Sequence, residues 1–160
     1  EVKTLEISYR KLGSNEIDFS TGYFQIKTSF AEKIEALVFN GFLPSVYNEL
    51  LISNKISVEE QRTIRLNRLK HENWQIKYAC AYVCHYLQKY PGLKSLPSKN
   101  RIEFLATAYN TTFNSDSATI TKRIHCNYFP FGTKYANPFS YAEVSTYFFE
   151  HDYLLITKQM

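Results

Sequence analysis

Glu6 is the carboxyl whose neighbours best suit acid catalysis. Leu5 and Ile7 flank it, with Ser8 and Tyr9 close behind. Apolar or aromatic surroundings favour the protonated form of a carboxyl near neutral pH. A group held in that form can protonate the leaving oxygen of a glycosidic bond. Glu16 and Asp18 lie in a polar stretch and read as solvated, and either could serve as a second carboxylate in hydrolysis by water.

Gln25 stands nineteen residues beyond Glu6, in the stretch Ser20-Thr21-Gly22-Tyr23-Phe24-Gln25-Ile26. A glycine there lets the backbone pass close to a ligand, and a glutamine offers both donor and acceptor. Downstream, Trp74, Tyr78, Tyr82 and Tyr86 recur at intervals of four, and Ala108-Tyr109-Asn110 falls at an expected helix end. Aromatic faces stack on the apolar faces of sugars while a phenol bonds polar groups. An aromatic stripe at helical spacing is more commonly core.

Other constellations carry less. Cys80, Cys84, His85, His125 and Cys126 lack a recognised metal-ligand spacing, and Cys80 and Cys84 read as small core residues one turn apart. No metal or cofactor is expected. Three cysteines in no framework pattern argue against a disulfide scaffold. Arg62, Arg65, Arg68 and Lys70 could meet phosphate, although a solvated charged face is the commoner meaning of such a row.

The elements that must position these residues are mainly helical. A helix is expected over residues 1–9, with Val2, Leu5 and Tyr9 on one face. A loop or short irregular hairpin follows over 13–27. Ser29 to Glu32, Ser57 to Glu60, Asn100 to Glu103 and Ser140 to Glu143 each read as a capping box. They open helices over about 30–39, 58–71, 102–109 and 141–150, and a short helix is expected from Ser45 to Leu51. The longest pattern covers 74–90, with Ile76, Cys80, Val83 and Leu87 as its buried side, and Pro91-Gly92 stops it. A short helix is expected over 117–124, and 125–139 reads as an extended aromatic segment.

With 160 residues, 44% hydrophobic and 21% charged, the chain is expected to fold as one globular domain spanning 1–160. Thirteen Tyr and twelve Phe make it unusually aromatic. A net charge of +4 favours an anionic partner such as nucleic acid or a cell-wall polymer. That charge is too small to make nucleic acid the expected partner. No apolar run approaches the ~20 residues that a membrane span needs. The chain opens on Glu1 rather than Met, which leaves room for a removed export signal.

In order along the chain, these pieces resemble lytic transglycosylases and their goose-type lysozyme relatives. Glu6 and Ser8 resemble the family's catalytic Glu and its neighbouring Ser. The Gly22-Tyr23-Phe24-Gln25-Ile26 turn is similar to its glycine, two apolar residues, glutamine and isoleucine. Gln75-Ile76, Ala79 and Tyr82-Val83 resemble its tyrosine helix, and Ala108-Tyr109-Asn110 its Ala-Tyr-Asn signature. The match covers about residues 5–110. It implies a mainly α lysozyme-like domain whose cleft holds a peptidoglycan strand. Glu6 would act as general acid and then base on the bond between N-acetylmuramic acid and N-acetylglucosamine, without cofactor. Ser20, Thr21, Gly22, Gln25, Tyr82, Tyr109 and Asn110 would line the substrate site, and the aromatic tail from His125 would close one end of the cleft. A periplasmic, envelope or secreted location follows from that substrate. Two alternatives stay open: a lysozyme-like hydrolase, and a non-catalytic glycan-binding module on the same scaffold.

Overall fold

The computed structural model describes residues 2–127 and 139–153. The chain is mainly helical and divides into two compact units on either side of the Lys89–Tyr90 junction. No described helix is long and apolar enough to cross a membrane.

In the first unit, α1 (Val2–Leu12) leads into a hairpin of two short strands, β1 (Ser20–Thr21) and β2 (Ile26–Lys27). The strands are antiparallel, with Ser20 opposite Lys27 and Thr21 opposite Ile26. Then come α2 (Thr28–Phe39), a 3-10 helix over Ser45–Leu50, α3 (Val58–Leu69) and α4 (Glu72–Lys89). Helix α1 packs on α3, and α2 and α3 each pack on α4. Tyr9, Ile26, Ile34, Leu66, Leu69 and Tyr78 are fully buried in this core.

Helix α1 runs a turn further than the 1–9 pattern, and of its expected apolar face only Tyr9 is buried; Val2 and Leu5 are exposed. The Ser29–Glu32 capping box does not form. Helix α2 starts at Thr28 and takes its cap from a distant side chain, Asp18, whose Oδ1 accepts from Ser29 N at 3.0 Å and from Thr28 Oγ1 at 3.1 Å. The Ser57–Glu60 box does form, in both directions. At the other end of α2, Asn40 caps the helix and Gly41 takes φ 73°.

The expected buried side of α4 is only half-buried at Val83 and Leu87, and the core belongs to the tyrosine stripe. Ile76 and Cys80 are exposed, whereas Gln75, Tyr78, Tyr82 and Tyr86 face the core. Tyrosine suits this interior because its ring fills apolar volume while its hydroxyl can reach a buried acceptor. Tyr78 Oη donates to Glu35 Oε1 at 2.5 Å. Trp74 stays partly exposed beneath two cations, Arg68 at 4.2 Å and Lys77 at 4.6 Å from its ring centre.

The second unit contains a 3-10 turn (Pro91–Ser95), α5 (Ser98–Tyr109), α6 (Ser117–Arg123) and α7 (Tyr141–Phe148), which runs on into a π-helical turn to Tyr153. Helix α5 packs on both α6 and α7. It begins two residues before Asn100, with Pro97 at its N-cap, so the Asn100–Glu103 box is not used. Ser140 does cap α7, accepting from Glu143 N, and its hydroxyl donates to Ile124 O at 2.7 Å. Most of the aromatic segment expected over 125–139 lies outside the described residues.

Candidate active site

The hairpin turn is built on two backbone positions in the left-handed region, Gly22 at φ 75° and Gln25 at φ 50°. Gln25 N donates to Gly22 O at 3.1 Å, and the Gln25 side-chain Nε2 donates to the same oxygen at 2.7 Å. From α4, fully buried Gln75 accepts from Phe24 N at 2.8 Å and donates to Leu69 O at 3.0 Å. One amide thereby ties the tip of the hairpin to the end of α3. A Cβ at position 22 would stand 1.9 Å from Gln75 Nε2. The glycine is therefore required by the close approach of a protein side chain, where the sequence pattern had pointed to a ligand. Ser20 and Thr21 form β1 on the approach to this turn, and Gln25 is exposed.

Glu6 sits midway along α1 with its side chain 13% exposed. Lys70 Nζ donates to Glu6 Oε2 at 2.7 Å, and Arg10 lies 4.0 Å from the same oxygen. Asp18 is committed to the start of α2 and also accepts from Ser29 Oγ at 2.8 Å. That commitment weakens its case as a second carboxylate for hydrolysis. Glu16 is exposed.

Tyr82 is 3% exposed, its ring 5.4 Å from Phe30 and 4.7 Å from Tyr86, centre to centre. It is placed as core rather than as a sugar platform. Tyr109 and Asn110 belong to the second unit, at the C-terminal end of α5. Burial, and after it the proximity of Tyr141, pushes the Tyr109 hydroxyl above its ordinary range, so it stays protonated. Asn110 caps α5 through its backbone N–H. Among the described residues, no group of three or more His, Cys, Asp or Glu is placed to hold a metal.

The three arginines of the basic row are committed to protein acceptors, whereas Lys70, just beyond α3, is exposed and pairs with Glu6. Arg62 donates to the last-turn carbonyls of α1, Arg10 O at 3.0 Å and Lys11 O at 2.9 Å. Arg68 donates to Leu50 O at 2.7 Å, where the 3-10 helix ends. Arg65 is buried and donates through Nε and Nη2 to Glu35, at 2.6 Å for the shortest bond, and through Nη1 to Tyr9 Oη at 2.7 Å and Glu32 Oε1 at 3.0 Å. Tyr9 Oη and Ser14 Oγ also donate to Glu32. Burial pushes the Tyr9 and Tyr78 hydroxyls up, and for Tyr78 the neighbouring Glu35 adds to the shift. Burial alone would lower the Arg65 guanidinium; its bonds to Glu35 outweigh that and hold it charged.

Glu32 and Glu35 also line an open pocket of about 440 Å³, together with Phe39, Leu51, Ile52 and Gln61. Sequence reasoning missed this pair. Their i, i+3 spacing on α2 was visible, but nothing local marked Arg65 as their partner. No family model, curated protein or solved structure matches the chain.

Proposed function

We propose that the chain is a lytic transglycosylase-like enzyme that cleaves peptidoglycan strands between N-acetylmuramic acid and N-acetylglucosamine, with Glu6 as its acid and base. The observation that carries this reading is the Gln75 clamp. It joins by hydrogen bond the two motifs that the family resemblance assigns to one site, the Gly22–Gln25 turn and the tyrosine helix, although they lie 51 residues apart.

In this chemistry Glu6 gives its proton to the glycosidic oxygen as the C1–O bond breaks. The resulting carboxylate then takes the proton of the muramyl 6-hydroxyl, which bonds to C1 and leaves a 1,6-anhydro end. No water is consumed, so one carboxyl suffices, in contrast to the paired acids of ordinary glycosidases. Lys70 has to leave Glu6 before the acid step, and a half-exposed lysine at the C-cap just beyond α3 can swing into solvent. The cationic chain suits an anionic wall polymer, and an envelope or secreted location follows from the same substrate.

One observation favours a second reading, a glycan-binding module without catalysis: Glu6 rests in an ion pair. Mass spectrometry of soluble products from purified peptidoglycan decides between them. Anhydro-ended muropeptides from the parent, and none from Glu6→Gln, are expected. Reducing-end products would point instead to a hydrolase. Binding without any product would leave the non-catalytic module.

A further inference from the structure

Tyr23 lies in the hairpin turn and is 87% exposed, while its neighbour Phe24 is 41% exposed. An aromatic ring left in water forgoes the burial that makes it favourable in a core. The backbone beneath it is nevertheless fixed at several points. Gln75 holds Phe24 N, Gly22 and Gln25 both carry positive φ, and the Gln25 side chain closes back on Gly22 O. Gln25 is the one non-glycine with positive φ among the described residues. Backbone strain of that kind persists only where surrounding structure enforces it, and it concentrates at ligand sites. Two strands of two residues would not alone hold such a tip rigid.

We infer that Tyr23 is a substrate-binding residue, a pre-positioned platform whose ring stacks on the apolar face of a pyranose in the glycan strand. The phenol is then free to bond a sugar hydroxyl or acetamido group. Because the backbone that carries the ring is fixed before binding, only side-chain rotation is left to lose on contact, which is where a rigid tip gains affinity over a flexible one. The clamp from buried Gln75 serves the same end, since it sets the height and direction of the tip from the core of the first unit. This inference rests on the glycan reading proposed above.

Its test measures binding of the Glu6→Gln protein to glycan strands freed of their peptides, with and without a second change at position 23. Removing one stacking contact with Tyr23→Ala is expected to weaken binding about five- to tenfold, and Tyr23→Phe to stay within about twofold. Thermal unfolding should be the same in all three, because the ring has almost no protein contacts to lose. Equal binding by Glu6→Gln and Glu6→Gln/Tyr23→Ala would overturn the platform while leaving the enzyme reading intact. Absence of strand binding by Glu6→Gln, together with no anhydro product from the parent, would remove the glycan reading and the platform with it.

Discussion

Two glutamates of the first unit, Glu35 and Glu6, each pair with a cation from α3 or its end, and the pairs could hardly differ more. Glu35 is buried, takes both Nε and Nη2 of Arg65, and accepts from Tyr78 as well. Glu6 has one strong partner, the flexible and partly exposed Lys70. A carboxylate whose lone pairs are filled by a planar guanidinium and a phenol has no capacity left for a substrate proton. A carboxylate held by one lysine can be released. The more conspicuous acidic site is therefore a structural hub, and the modest one keeps the freedom that the proposed chemistry requires.

Breaking the hub should have the largest effect. Arg65→Ala leaves Glu35 buried without its counter-charge and is expected to cost about 3–5 kcal/mol in chemical denaturation. Replacing both partners, Arg65→Met with Glu35→Leu, should cost clearly less than the single change, because no unpaired charge remains at that position. A double change as harmful as the single one would show that Glu32 and Tyr9 depend on Arg65 independently of Glu35.

Next comes the clamp. Gly22→Ala adds a Cβ against Gln75 at a backbone angle unfavourable to alanine, and about 2–4 kcal/mol of destabilisation is expected. Combining it with Gln75→Ala should be markedly less than additive, since the clash is then gone. Additive losses in urea melts would mean that the two residues act separately.

Smaller again is the cap of α3, where Ser57→Ala should cost about 1 kcal/mol. It also changes the acid side of the stability curve. Hydrogen bonds from the Ser57 backbone and then its hydroxyl hold the Glu60 carboxyl below its ordinary value. That contribution is present above the unfolded carboxyl value and fades as pH falls through the lower folded one. The variant should therefore lose less stability on acidification than the parent, seen as converging melting temperatures toward low pH.

The smallest effect is expected at the other member of the comparison. Lys70→Ala should change stability by less than about 1 kcal/mol, since solvent screens a partly exposed pair. A loss approaching that of Arg65→Ala would make Glu6 a second structural anchor and argue against its release for catalysis.

Much of this was legible in the chain. The hairpin around Gly22, the start of α3 at Ser57, the start of α7 at Ser140 and the mainly helical class all follow from local chemistry: turn residues, cap side chains and helical spacing. The α2 start failed because the satisfying group came from afar, Asp18 in place of Glu32, whereas α5 starts early behind Pro97 with no side-chain cap. The facing of α4 failed because apolar spacing favoured Ile76 and Cys80, while the core had a use for tyrosine hydroxyls.

What the sequence by itself determined is the set of helices, their local caps and the left-handed turn that needs a glycine. Tertiary structure alone decided that the arginines of α3 face inward onto α1, α2 and the 3-10 helix, that Gln75 reaches the hairpin, and that Lys70 meets Glu6. The reason is physical. Caps and periodicity act over three or four residues, within reach of the local pattern. A buried charge is stable only beside its partner, and here the partners lie 30 to 64 residues apart, so only the folded chain could bring them together.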